Sequence, residues 1–383
     1  MGFLSGRVSY VRFQVSGESP LPFDEDLLEK ASLHTIGKHG GADPTDGMSF
    51  GWAGGDHVLD TTLELGKNII NDALHMAIRI DTDKIPGSLL KAYTTIELAA
   101  RAALNPSGRP TKAQRTEAKE AGQIRAEAEA ADGRYRRMTS SPILWDGQSN
   151  VLYAGVSGLA VLDRLRTLFR ETFDRTLDPI SSGTLAMRDA QTHLGISIAN
   201  LGPAGFVGEP QSSLAWADPE APAPDFLGNE FLMWLWHTLQ ADSDTIGLSD
   251  GSEVTVMLAK TLTLDCPRGE TGRDCMTDLG PTKLPEAFRA LQSGKLPRKV
   301  GMILVRHDSQ YELTLQAESL AVSGALLPKI EGATGDDLKV ARIDAVRHLV
   351  ETLDLLYEAY GRQRTGPGWS GELGRIRQWL QAA

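Results

Sequence analysis

Residues 7–15 (RVSYVRFQV) alternate, with Val11, Phe13 and Val15 on one side, and DALHMAIRID near residue 75 is a second run of strand character. Between them GKHGGADPTDGMSFGWAGGD is so rich in glycine that it reads as largely turn and loop. The pattern changes at Lys84-Ile85-Pro86. Residues 88–104 carry Leu89, Tyr93, Ile96 and Ala100 at helical spacing, and Asn105-Pro106-Ser107-Gly108 stops that helix. Thr111 and Gln114 have capping-box spacing, which predicts a second helix to about Ala131, with Gly122 as an interruption that permits bending. Two helices joined by a short Pro/Gly turn make a hairpin. Its second arm has few large apolar residues, so the pair is expected to project into solvent.

Further on, SPILWD and NVLYAGVS read as strands and GLAVLDRLRTLFRETF as an amphipathic helix. Residues 200–225 read as a Pro/Gly/Ala-rich connector or insertion before the aromatic DFLGNEFLMWLWHTL. Then come a strand, VTVMLAKTLTL, and a hairpin of KVGMILVR with YELTLQAES. Over 337–360, Ile343, Val346, Val350, Leu353, Tyr357 and Tyr360 form a helical stripe that belongs in a core, with Gly361 as C-cap. No internal repeat is evident. The fold class is α+β: antiparallel sheets, packed helices and a projecting helical hairpin.

Composition narrows the function. The chain has 383 residues, 41% apolar, and a net charge of −11. That is enough to bury a sizeable core and excludes global disorder. It also excludes a surface that is basic throughout, so any polyanion site must be local. Cys266 and Cys275 fall short of a disulfide framework or a four-ligand zinc site; two reduced thiols are expected, with a bridge across CPRGETGRDC as the alternative. MGFLSGRVSYVRF lacks the cationic segment and apolar run of a secretory leader, and the stretch around Phe231 to Trp236 is far short of a membrane span. The expectation is a soluble cytoplasmic protein with no membrane partner.

Catalytic signatures are sparse. Gly47-Met48-Ser49-Phe50-Gly51 matches G-x-S-x-G but lacks the leading apolar strand and following helix that a nucleophile elbow needs. There is no phosphate-binding glycine motif, and the eight histidines never take metal-site spacing, although His34, His39 and His57 share one loop-rich region. No enzyme, metal or cofactor is therefore expected. A serine hydrolase at Ser49, or a metal-dependent nuclease using the loop histidines, stands as the alternative.

Segment 101–137 departs from this background. Arg101, Arg109, Lys112, Arg115, Lys119, Arg125, Arg134, Arg136 and Arg137 face five carboxylates, so it carries +4 and the rest of the chain −15. At ~100° per residue Lys112, Arg115 and Lys119 lie within about 60° of one another. Like charges four apart, as at Arg115 and Lys119, cost a helix a few tenths of a kcal/mol, which phosphates outside it would offset. A solvated face balanced by its own glutamates is the competing reading. Arg134-Tyr135-Arg136-Arg137 is a second cluster, suited to clamping phosphates or to anchoring a partner subunit through Tyr135. Without a base-reading motif, the implied contact is with the backbone and is salt-dependent.

The arrangement resembles the bacterial recombination-associated RdgC family, as a divergent and longer member. The resemblance rests on the G-F-x-x-x-x-x-S-Y-x-R-F start from Gly2 to Phe13, Gly51-Trp52 after a glycine-containing loop, Lys84-Ile85-Pro86 with Leu90-Lys91, the Lys/Arg/Glu-rich helical segment and Trp145-Asp146. It covers most of the chain, with residues ~181–225 and ~265–298 as extra material. It implies a non-enzymatic homodimer that closes into a ring around double-stranded DNA and restrains a RecA-type recombinase by occupying DNA, in the nucleoid. Carried over, residues 1–83 and 138–180 form a central domain, 84–137 the projecting tip and 181–383 a base. The tip cations, with Lys84 and Lys91, face DNA, and Tyr135 is the contact between subunits. A regulator acting through protein contacts alone is a further alternative.

Overall fold

The computed structural model describes residues 2–38, 48–156, 158–208, 214–216 and 223–382. In chain order its elements are β1 (Val8–Val15), α1 (Glu25–Leu33), β2 (Met48–Ala53), α2 (Leu65–Asn68), β3 (Ile69–Ile70), β4 (Ala73–Asp83), α3 (Gly87–Ala103) and α4 (Lys112–Ala130). Next come β5 (Arg136–Asp146), β6 (Val151–Ala154), α5 (Leu159–Phe173), β7 (Leu177–Pro179) and α6 (Ser182–Asp189), which runs into a π-helical turn at Ala190–Leu194. Then follow α7 (Phe226–Ala241), β8 (Thr245–Gly247), β9 (Glu253–Asp265), β10 (Asp274–Asp278), α8 (Pro285–Gln292), β11 (Leu296–Arg306), β12 (Ser309–Gln316) and β13 (Val322–Leu326). The chain ends in α9 (Gly335–Thr365) and α10 (Trp369–Ala382). The class is α+β with extensive antiparallel pairing, as the alternating segments imply.

Two compact units share the chain: residues 1–25, 64–75 and 142–383 form one, and 26–63 and 76–141 the other. The segments expected as central domain and base, 1–83, 138–180 and 181–383, are thus divided at other points, while 84–137 falls wholly in the second unit.

In the first unit the strand order is β10-β9-β11-β12-β13-β1-β6, then the C-terminal part of β5. The long β11–β12 hairpin pairs from Lys299↔Gln316 to Arg306↔Ser309. Packed helices bury one large core. Helix α7 is apolar almost all round and is buried on nearly every side, which accounts for the aromatic block FLGNEFLMWLW. Phe231 meets the rings of Tyr357 and Tyr360 at 5.2 and 5.7 Å. The stripe on α9 is core, as its period requires, but the helix continues through Gly361 to Thr365, so Gly361 is internal and not a cap. Leu185, Ala186, Ile198 and Phe206, from the stretch expected as an insertion, are buried core residues.

β1 departs from simple alternation. Val8, Tyr10, Arg12, Phe13 and Val15 are buried while Val11 is half-buried, so the burial pattern skips between Arg12 and Phe13. Arg12 is tolerated inside because its guanidinium donates to both oxygens of Asp354, at 2.7 and 2.9 Å. Cys266 and Cys275 are free thiols; Cys275 pairs across the ladder with Thr263 and not with Cys266.

The second unit contains β2 paired antiparallel with β4, from Met48↔Thr82 to Ala53↔Ala77. The glycine-rich stretch is therefore not loop throughout: MSFGWA is a strand, with Trp52 fully buried. The remainder of this unit is dominated by the α3–α4 hairpin.

Candidate nucleic-acid interface

The hairpin forms as its caps dictate. The Thr111 hydroxyl accepts from the Gln114 backbone N–H at 3.3 Å, and the Gln114 side chain accepts from the Thr111 N–H at 2.9 Å. At the same level Asn105 donates to Gln114 at 2.6 Å, pinning the turn between the helices. α4 buries only Ala118, Gly122 and Ala126, and α3 has no fully buried residue. Gly122 sits inside an unbroken α4. It lets the backbones approach, since a Cβ there would lie 2.9 Å from the Thr94 nitrogen. Ile96, two positions beyond Thr94 and so on the side of α3 turned away from α4, stays 52% exposed. Among the described residues the hairpin buries little beyond its own seam, as expected for a projecting arm.

The expected DNA-binding residues fall into two groups. Arg101 is neutralised by Glu97 at 2.6 Å and Glu117 at 3.7 Å. Arg134 pairs with Glu129 at 3.0 Å and Asp132 at 2.8 Å, and Arg136 with Asp83 at 3.3 Å. Arg125 stacks its guanidinium over the Tyr93 ring, 4.7 Å from the centroid. For Arg101, Arg134 and Arg136 the competing reading, charge balanced by close neighbours, describes what is found, while Arg125 is held by a neutral ring.

The remaining cations behave differently. Lys84, Lys91, Arg109, Lys112, Arg115, Lys119 and Arg137 are exposed, and among the described residues they make no ion pair. Successive positions turn by ~100°, and Thr94 and Gly122 mark the facing sides. Lys112, Arg115 and Lys119 then occupy one flank of α4, with Lys91 on the same side of the hairpin, whereas Glu120 and Glu127 lie toward the back of α4 and Glu117 reaches across to Arg101 on α3. The three α4 cations span about 10 Å of helix axis. Arg109 sits in the turn at the free end.

Tyr135 lies at the other end. Its hydroxyl donates to Glu129 at 2.9 Å, and Tyr93 donates to the same carboxylate. Hydrogen bonds from Tyr93 and Tyr135, with Arg134 beside them, hold the Glu129 carboxyl below its usual range. The Tyr93 phenol is pushed up by its bond to Glu129, and the Tyr135 phenol by burial and then by Glu129. Tyr135 therefore belongs to the root of the arm. A contact made there would join roots, about 28 Å along α4 from the turn at 104–111.

The other candidates are placed less suggestively. Ser49 lies inside β2, opposite Asp81, so no strained strand-to-helix elbow presents it. His34 and His57 fall in turns next to β2, while His39 and Gly47 lie outside the described residues. Among the described residues no group of His, Cys, Asp and Glu has metal-site geometry, and no helix is long and apolar enough to cross a membrane.

No protein-family model matches this chain, and no curated protein matches it. The site therefore has to be judged on its own geometry. What sequence reasoning missed was which cations are already satisfied. The pairing of Arg101 with Glu97 was open to detection, four residues apart on one helix face, whereas Asp83 reaches Arg136 across 53 positions.

Proposed function

We propose that this chain binds double-stranded DNA without reading its sequence, by laying the Lys112–Arg115–Lys119 flank of a helical arm against the phosphate backbone. One observation carries the reading: among the described residues these three cations are exposed and make no ion pair on one flank, while their acidic neighbours are turned away or engaged elsewhere. Positive potential concentrated on one element of a chain with net charge −11 favours a focused polyanion contact. The spacing suits a duplex, since about 10 Å of helix axis corresponds to the rise of three base pairs. Lysine and arginine on a helix flank supply charge but no fixed base-edge geometry, so the contact is to backbone and non-specific.

Following the RdgC resemblance, the proposal extends to a ring-shaped homodimer, acting in the nucleoid without catalysis, that encloses the duplex and restrains a RecA-type recombinase by occupying its substrate. Light scattering, with retention on nicked-circular against linear duplex of equal length, tests this part. A dimer that leaves circles more slowly than linears is expected. A monomer, or equal release from both, would refute ring closure while leaving the arm contact to be judged by its salt dependence.

A further inference from the structure

The free end of the arm carries a side chain that a phosphate contact leaves unused. Leu104, the C-cap of α3, is 81% exposed, the most open large apolar side chain among the described residues of the second unit. The turn that holds it there is fixed by its own hydrogen bonds. The Asn105 N–H donates to the Ala102 carbonyl at 3.1 Å, and the Gly108 N–H donates to the Asn105 carbonyl at 2.9 Å, with Gly108 in the left-handed region at φ +64°. The Asn105 side chain donates to the Arg109 carbonyl at 2.7 Å, and Pro106 and Pro110 lock two more φ angles.

The surroundings of Leu104 are cationic. Residues 98–116 contain no Asp or Glu, but they include Arg101, Arg109, Lys112 and Arg115. Arg101 is taken up by Glu97 and Glu117. The other three are exposed and, among the described residues, make no ion pair. An exposed leucine within an all-cationic end suits a partner that is anionic outside and apolar beneath, which describes a duplex groove or an anionic bilayer. A bilayer retains an amphipathic helix by a whole apolar face, and a single leucine falls far short of one. A duplex accepts single apolar wedges between base steps, and its narrow minor groove attracts arginine.

Resting on the arm–duplex contact proposed above, we infer that Leu104 is a wedge. With the α4 flank on the backbone, Leu104 enters the minor groove beside Arg109 and inserts between two stacked base pairs, kinking the duplex there. Burial of the side chain in the stack offsets part of the cost of unstacking. Pyrimidine–purine steps, which unstack most easily, receive it best.

Duplexes with 2-aminopurine at pyrimidine–purine steps test this, with binding by the full chain followed in parallel by anisotropy across salt. Fluorescence is expected to rise at saturation, as unstacking requires. Leu104→Ser should abolish the rise and keep the salt slope, because no charge changes, while Leu104→Met should keep both. The position is exposed, so these variants are expected to fold. A bound duplex with no rise, or a rise that survives in Leu104→Ser, would overturn the wedge and leave the flank contact standing. Absence of any duplex binding would overturn both. Leucine-dependent binding to phosphatidylglycerol vesicles, or a changed mass in solution for Leu104→Ser, without leucine-dependent unstacking, would assign the tip to a membrane or to a second copy of the chain and so overturn the wedge.

Discussion

Thr94 of α3 and Gly122 of α4 touch backbone to backbone across the hairpin: a Cβ on Gly122 would sit 2.9 Å from the Thr94 nitrogen and 2.9 Å from its Oγ1. This contact sets the separation of the two helices and hence how the cationic flank is presented. Gly122→Val should therefore force the helices apart and destabilise the arm by about 1–3 kcal/mol, despite valine's better helix propensity. Hydrogen exchange should show faster exchange in α3 and α4, with the first unit unchanged. Slower exchange in the arm would mean that the close approach is not needed.

In the first unit the buried ion pair of Glu230 with Arg364 is the most exacting polar feature. Glu230 also accepts from the Ala204 N–H at 2.6 Å and the Tyr360 hydroxyl at 3.1 Å. Removing the carboxylate strands a guanidinium that is 7% exposed. Glu230→Ala should cost about 3–5 kcal/mol in urea unfolding, and a loss below 1 kcal/mol would contradict this account of the core.

Asp250 sets a pH dependence. The Ser252 hydroxyl and backbone N–H, followed by Arg306, hold its carboxyl at about 2, down from 3.8. Because the folded value is the lower one, its stabilising contribution is full above 3.8 and fades as pH falls toward about 2. Carboxyl NMR should find this midpoint near 2 and find it raised in Ser252→Ala. An unshifted midpoint would show that the Ser252 cap does not persist in solution.

The division of the arm cations predicts unequal effects on DNA binding. Arg134 already has two carboxylate partners. Arg134→Ala should leave duplex affinity within about twofold while loosening the root around Glu129, whereas Lys119→Ala should weaken binding several-fold at low salt. Equal losses in a filter-binding titration would mean that the ion pairs at the root open when DNA arrives.

Much of this fold was legible in the chain because the signals are local. Thr111 and Gln114 announced the start of α4 to the residue, and the stripe from Ile343 to Tyr360 announced a core helix. What was not legible depends on neighbours far away in sequence. Glycine signalled a cap at 361 and a bend at 122, but in place it lies inside unbroken α9 and α4, at 122 to allow a close helix crossing. Strand β2 was hidden by its glycines, because its partner β4 supplies the pairing. Arg12 lay unremarked in an alternating strand because Asp354, which satisfies it, is 342 residues away. In the site, charge count and helical angle found the exposed flank, and spacing alone allowed the pairing of Arg101 with Glu97, but nothing local could reveal that Arg136 was already paired with Asp83, 53 positions away.

The most direct test is the salt dependence of duplex affinity for the unaltered chain and for Lys112→Glu/Arg115→Glu/Lys119→Glu, using two unrelated sequences. Each phosphate contact contributes a slope of about −0.9 in log K against log salt. The account predicts similar affinity for both sequences, and a triple variant whose slope is shallower by close to three contacts' worth with most of its low-salt affinity gone. An unchanged slope with unchanged affinity in the triple variant would show that the flank of α4 does not touch DNA.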